Sequence, residues 1–580
     1  MTTSLFAQKP ELAYSYFRNG EYEKAIMLYK PLHEKNKVRR DYFKNLLTCY
    51  QQLEYFDLSE ELIRQQINDF PNQKYQKIEL GYNYQLQNKI IKANEYYEEA
   101  LDVVRKNPNF VYAIGQAFRQ NHLLDYALKS YEMAKALNPK LVTDIQVAQI
   151  YGEKGELEKM FNSYLNLIEI NEKYQPTIQR YIGQFISNDP QNDSNKLLKK
   201  LLLIRSQNNP KDAYNILLSW LYVQQKEYDK ALIQEKSLFA RNQLNTLKIV
   251  EIGKISFESQ DYKTAKQAFQ FLLENTADNS IGLSAENYLM QIAIFDPGNK
   301  NQEIDQQFQE LFRKYGENNT TIGLQLTYAD FIAFQMDEPQ RAIELLTKTQ
   351  NFATSALQNG EIKIKQADIL VYTGMFNRAL ILYSQVQTNL KNSPIAQKAR
   401  FKVAQTSYFK GDFKWAQAQL KVLKSSTSQL IANDALELNL LISNNIDKDS
   451  VQKPLRLYAQ VDLLSYQNKK QRAIDSLDVI LTKFKGHPIE DDALFKQAEL
   501  FKKEKNYQAA EQNYLRIVSL YKESVLADDA CFHLAKLYQN EFQDILKAKE
   551  MYEKIIFNYP SSIYLVDARR EYRKLRGDDL

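Results

Sequence analysis

Leu80-Gly81-Tyr82-Asn83-Tyr84, answered twelve residues after its glycine by Ala93-Asn94-Glu95-Tyr96-Tyr97, is the phrase whose reading decides the fold. It is said five times. The other first halves are Leu12-Ala13-x-x-Tyr16, Leu46-Leu47-x-x-Tyr50, Ile114-Gly115-x-x-Phe118 and Val147-Ala148-x-x-Tyr151. Their second halves are Ala25-x-x-x-Tyr29, Ser59-x-x-x-Ile63, Ala127-x-x-x-Tyr131 and Met160-x-x-x-Tyr164. The positions 25, 59, 93, 127 and 160 are separated by steps of 34, 34, 34 and 33.

Residues four apart share one face of a helix, so each half-phrase is read as an amphipathic helix and each phrase as a helical hairpin. Gly81 opposite Ala93 lets the two helix axes approach, and Tyr84 and Tyr97 are left to fill the wedge against the next hairpin. One hairpin cannot bury its own apolar face; stacking buries it, and the core grows along one dimension. The expected fold class is therefore all-α, an α-solenoid of antiparallel helix pairs.

Composition agrees. Only 16 Gly and 14 Pro punctuate 580 residues, too few turns for an all-β chain of this size, whereas Tyr 39 and Phe 29 suit a fold that uses aromatic wedges in every repeat. A net charge of +5, from Lys+Arg 76 against Asp+Glu 71 without basic blocks, argues against a nucleic-acid partner. No run of about 18 apolar residues encodes a membrane span. Cys49 and Cys531 are too distant along a solenoid to form a disulfide and are read as buried thiols.

In chain order, residues 1–8 contain Leu5-Phe6-Ala7-Gln8, similar to the last residues of a signal peptide, and are read as its remnant. Residues 9–174 hold the five regular repeats. Residues 175–325 are degenerate: Asn188 to Asp193 forms a polar turn, Thr276 to Thr321 loses register with a loop near 296–302, and Ile304 to Tyr315 is a separate helix. The phrase returns at Leu218-Ser219 and Ile252-Gly253, and only Thr276 to Thr321 is read as a bend or seam. Residues 326–561 repeat at a longer step, Ala342, Ala379 and Ala416 being 37 apart, Ala473 and Ala510 37 apart, and Ala510 and Ala548 38 apart. An inserted helix, Leu430 to Leu441, and a polar loop, Asn444 to Lys453, fill 425–454. Residues 562–580 are read as a capping helix with Ser561 or Ser562 at its start.

The large-small-x-x-aromatic and Ala-x-x-x-aromatic phrase resembles the tetratricopeptide repeat, and the resemblance covers nearly the whole chain. Later repeats such as Asp528-Asp529-Ala530-x-x-x-Leu534-Ala535-x-x-Tyr538, with the richness in Lys, Asn, Ile and Tyr, resemble Bacteroidetes-type cell-envelope repeat proteins. Those resemblances imply a superhelix acting as a protein-binding scaffold, periplasmic or outer-membrane-associated, otherwise a cytoplasmic regulatory scaffold. They also imply which residues line a concave groove for a partner's peptide segment. These are the positions three before, one after and four after the small residue: Tyr14, Phe17, Lys44, Thr48, Gln51, Ile78, Tyr82, Gln85, Tyr112, Gln116, Arg119, Ile145 and Gln149. Rings supply apolar area there, and amides can bond a peptide backbone. Co-chaperone members clamp a terminal carboxylate with paired Lys and Asn; Thr48 and Glu79 depart from that pattern.

No phosphate loop, nucleophile elbow or His-Glu-x-x-His helix occurs, and the four histidines are scattered. Catalytic residues, cofactors and metals are therefore not expected; an enzyme would have to lie in the unpatterned 276–321 region. Cys531-x-His533 diverges on a helix, and Glu490, Asp491 and Asp492 are read as first-turn carboxylates complementing a helix dipole.

Overall fold

A computed structural model describes residues 4–242, 246–423, 428–446 and 452–578. Among them run thirty-two α-helices and no strand. The chain divides into two compact units, Met1–Leu272 and Leu273–Leu580, the division falling just ahead of the stretch that loses register.

In the first unit every phrase becomes a hairpin, for example Gln76–Leu86 with Ile90–Lys106 and Val111–Gln120 with Leu124–Leu137. The turn between the two helices repeats with the same period as the phrase. Gly20, Glu54, Asn88, His122 and Gly155 all have φ between +56° and +76°. The next residue's amide closes over the aromatic residue of the first helix: Lys89 N–H donates to the Tyr84 carbonyl and Leu123 N–H to that of Phe118, both at 2.9 Å. This six-to-one bond satisfies carbonyls that a helix end leaves orphaned, and it needs one left-handed residue. Only two of these five positions carry the glycine that adopts it freely.

The small position works differently from the expectation. A Cβ on Gly81 would meet the Tyr97 ring at 2.4 Å, and one on Gly115 would meet the Tyr131 ring at 2.4 Å. The glycine makes room for the whole ring of its own hairpin's second helix, more than for the methyl of Ala93. Where the small residue is Leu47, the facing residue is Ile63, not tyrosine, and both are fully buried. Tyr97 then packs against the next hairpin, 5.8 Å from Phe118 and 4.9 Å from Tyr126 between ring centroids.

Degenerate residues 175–210 still form two helices, Gln175–Ile182 and Asp193–Asn208. Their polar turn is stitched by fully buried Asn195, whose side-chain amide donates to the carbonyls of Ser187 and Asp189 at 2.8 and 2.7 Å.

In the second unit the register-poor stretch forms Asn279–Phe295 and Asn301–Tyr315, and the regular hairpins then resume. The inserted helix runs Gln429–Asn445, longer than the apolar pattern showed. Of the polar loop expected at 444–453, Asn444 and Asn445 are helical, Lys453 opens the next helix, and 447–451 lie outside the described residues. One residue beyond the usual twelve separates Ala535 from Ala548, and it is absorbed as a single π turn, Tyr538–Phe542. The closing helix is Leu565–Arg576; Ser562 does not cap it but accepts the Tyr564 amide in the turn before it.

Candidate partner-binding walls

Within each unit, hydrogen bonds identify the inside of the stack. Packed helices lie about 8–10 Å apart, so layers two steps apart in a straight stack are out of reach of each other. Yet Arg40 reaches Gln120 at 3.3 Å and Lys44 reaches Asn121 at 3.1 Å across two steps of the first unit. In the second unit, Tyr466 donates to the Asp368 carbonyl at 3.2 Å and Gln467 to the Tyr372 carbonyl at 2.7 Å. All eight residues lie on first helices or their ends, so each unit curves with its first helices inward.

On the first unit's inner wall, Tyr14 and Tyr112 are 52 % and 41 % exposed, while Tyr82, Gln116 and Ile145 are half-buried. The Tyr112 hydroxyl donates to the Val142 carbonyl at 3.3 Å. Others of the expected groove residues are already engaged. Lys44 forms an ion pair with Glu79 at 2.8 Å, and Glu79 is only 2 % exposed. Thr48 turns its hydroxyl onto the Lys44 carbonyl. Gln85 accepts the Tyr97 hydroxyl at 2.8 Å. Arg119 braces the next first helix, donating to Gln149 at 2.6 Å and to Glu153 at 2.7 Å. Phe17 packs edge-on against Tyr22 and Tyr29.

Two expectations are corrected outright: Ile78 is fully buried and Gln51 is 8 % exposed, so neither lines a groove. At the third repeat the residue three before the small one is core, and its neighbour Glu79, buried as well, is the one that takes the Lys44 ammonium. A 34-residue phrase fixes a helix face, but not the rotation of one layer on the next.

The second unit's wall carries a feature the sequence reading missed. The residue after the small one is Asp330, Asp368, Asp462 or Glu499, and the residue two before it on the next first helix reaches back to grip it. Lys365 pairs with Asp330 at 2.5 Å, Lys402 with Asp368 at 3.2 Å, Lys496 with Asp462 at 2.7 Å, and His533 lies 3.8 Å from Glu499. Three of these carboxylates also take buried tyrosines: Tyr383 donates to Asp368 at 2.5 Å, Tyr408 to Asp462 at 2.8 Å, and Tyr514 to Glu499. Burial, and the carboxylate beside each phenol, hold all three tyrosines neutral with raised pKa. The signal was legible as Lys365-x-Ala367-Asp368, Lys402-x-Ala404-Gln405 and Lys496-x-Ala498-Glu499, a Lys-x-Ala-polar phrase that hydrophobic periodicity passes over.

The acids at the start of Ile489–Lys503 have separate tasks. Glu490 accepts the Gly486 amide at 2.6 Å and pairs with Arg516 at 2.9 Å, and Asp491 accepts the Ser524 hydroxyl at 2.5 Å. Asp492 takes the Asn445 amide at 2.8 Å. Burial, with Asp491, Asp462 and Glu437 nearby, pushes its carboxyl up to about 7. Burial likewise pushes both thiols, Cys49 and Cys531, up to about 12, which leaves them as thiols at neutral pH. Among the described residues no group of three or more His, Cys, Asp or Glu is placed to hold a metal, and no helix is long and apolar enough to cross a membrane.

Residues 492–524 and 529–562 match the tetratricopeptide-repeat family model. Helical hairpins joined by the same left-handed turn run through both units, so the fold is an all-α repeat solenoid, and the family model matches two of its repeats. No curated protein matches the chain. Three solved structures are similar over most of their length. Naa15/Naa10 bound to HypK-THB is 12 % identical, covering 98 % of this chain and 96 % of that one at a TM-score of 0.30. The APC/C hetero-tetramer Cut9–Hcn1 is 13 % identical, covering 92 % and 96 % at 0.26. The yeast Tom70 is 16 % identical, covering 98 % and 100 % at 0.30. With superposition scores this low, the fold assignment rests on the helices of the chain itself.

Proposed function

We propose that the chain is a non-enzymatic protein-interaction scaffold of a bacterial cell envelope, and that the first unit's inner wall receives an extended segment of a partner. The observation carrying this reading is the exposure of Tyr14 and Tyr112, with half-buried Tyr82, on a wall whose charged groups are paired internally. Rings left bare on an inward-curving wall offer contact area at little entropic cost, and interface energy concentrates in such anchors. Arg119 drops out as an anchor because it already braces Gln149 and Glu153.

The test is capture of partners from native extract by the wild type and by a Tyr14→Ala, Tyr82→Ala, Tyr112→Ala variant. Each anchor is worth roughly 2 kcal/mol, so the variant should lose the captured protein while keeping its helicity. An unchanged set of captured proteins retires this wall. The location rests on Leu5-Phe6-Ala7-Gln8 and on the late-repeat resemblance; fractionation with N-terminal sequencing checks it, and an intact Met1 in the cytosol overturns it.

A further inference from the structure

Four residues after the small position of each second helix in the first unit stands the side chain that wedges one hairpin against the next. It is Tyr29, Ile63, Tyr97, Tyr131, Tyr164 or Phe269, all buried. On Tyr228–Asn242, four residues after Ala231, it is Glu235, and the carboxyl is as deeply buried as the rings, 3 % exposed.

The residues around that position have changed with it. Tyr97 fits over Gly81 and packs against Phe118 and Tyr126 of the next hairpin. At the Glu235 junction Ser219 stands at the small position, Ser256 holds the place of Phe118 three residues after Gly253, and Thr264 holds the place of Tyr126 just before Ala265. All three hydroxyl residues are buried. Rings at one junction are thus answered by a carboxyl and hydroxyls at another.

Ser219 is hydrogen-bonded to the Glu235 carboxyl. Among the described residues, Glu235 Oε2 and Ser256 Oγ have no hydrogen-bond partner. The charged groups that reach Glu235 are Lys248 and Glu251 of the next first helix, whose effects oppose each other and which pair together at 2.6 Å. No cation is committed to Glu235, and a carboxylate buried without one costs far more than a neutral acid. Burial accordingly raises its carboxyl above the ordinary 4.5, outweighing Ser219 and Lys248.

We propose that Glu235 makes this junction a proton-operated joint, in which the hairpins 212–242 and 246–275 are locked together while the carboxyl is neutral and part locally when it ionises. Layers of a repeat stack contact mainly their neighbours, so one junction can open while the others hold. The folded carboxyl titrates above the free one, so the stability it contributes is complete below about pH 4.5 and is lost as pH rises through the folded value. The buried tyrosines at the other wedges, raised above 10, stay neutral over the same range.

Hydrogen–deuterium exchange of the full chain at pH 5 and pH 8, with the intrinsic pH dependence of exchange divided out, reads the joint. Protection of Asp212–Gln224, Tyr228–Asn242 and Thr246–Glu258 should fall by about tenfold or more relative to Val111–Gln120 and Leu124–Leu137, because each unit of raised pKa is a factor of ten in opening. Glu235→Gln keeps the shape and the bond to Ser219 but cannot ionise, so its protection should not change with pH. Ser219→Gly with Glu235→Tyr rebuilds the pair formed by Gly81 and Tyr97 and should likewise remove the pH dependence; it decides the matter if Glu235→Gln does not fold. No fall in the wild type, a fall shared equally by 111–137, or the same fall in the variants overturns the proposal.

Discussion

The residue that follows the small one on each first helix faces the inside of both units, and the two units fill it with different chemistry. In the first unit it is Tyr14, Thr48, Tyr82, Gln116 and Gln149; in the second it is Asp330, Asp368, Gln405, Asp462 and Glu499. The first wall is held by amide bonds and a few peripheral ion pairs, and it leaves rings bare. The second is locked layer to layer where Asp330, Asp368 and Asp462 each answer a lysine of the next first helix, while Glu499 is paired with Lys502 of its own helix. The same hairpin geometry thus serves either as a receptive surface or as a charged spine. An internal charge row occupies the wall it runs along.

The sharpest break of that comparison is Asp368→Ala. Its side chain is 15 % exposed and serves both Lys402 and Tyr383, so removal orphans an ammonium and a buried hydroxyl. The expected cost is about 3 kcal/mol, against less than about 0.5 kcal/mol for Gln405→Ala, which interrupts no rung. Each unit has one tryptophan, Trp220 in the first and Trp415 in the second, so urea unfolding followed in a Trp220→Phe background reports the second unit alone. Equal costs for the two substitutions would dissolve the charged spine into unconnected pairs.

Next in size is Gly115→Ala in the first unit, where the added methyl meets the Tyr131 ring; overpacking of this kind costs about 1–3 kcal/mol. Changing both partners, Gly115→Leu with Tyr131→Ile, copies the Leu47 and Ile63 pair and should recover much of the loss caused by Gly115→Leu alone. Trp220 fluorescence in a Trp415→Phe background is the readout, and strict additivity would show that the two positions do not compensate.

A separate pH effect should belong to the second unit. Asp492 titrates near 7 when folded against about 3.8 in its ordinary state, so the folded form holds its proton more tightly. The stability this contributes is complete below about pH 4 and is lost as pH rises through 7, on the order of 1–2 kcal/mol after discounting for solvent. Unfolding midpoints at pH 5 and pH 8 should therefore differ more in the wild type than in Asp492→Asn; an identical pH slope in both would remove Asp492 as the source.

The smallest effect tests the turns. His122 holds a left-handed conformation, φ +56°, that disfavours any side chain, so His122→Gly should stabilise the first unit by about 0.5–1 kcal/mol. Gly155→Ala at the matching turn should cost a similar amount. A loss on His122→Gly, seen as a lower Trp220 midpoint, would mean that the imidazole contributes more than the backbone strain it imposes.

By itself the sequence determined the hairpins, their period and the faces they bury, because residues three and four apart must share a helix face wherever a helix forms. It also determined which turns are tight, since the phrase leaves the same short interval between first and second helix each time. The compensation of Gly115 by Tyr131 and of Leu47 by Ile63 was present in it as paired sizes at a fixed spacing. Only the tertiary structure decided that Ile78 and Glu79 are both buried, that Lys44 and Arg119 are committed to neighbours, and that Asn195 secures a turn that reads as weak. Those outcomes depend on how far each layer rotates on the last, a sum of side-chain volumes across an interface that no single helix encodes.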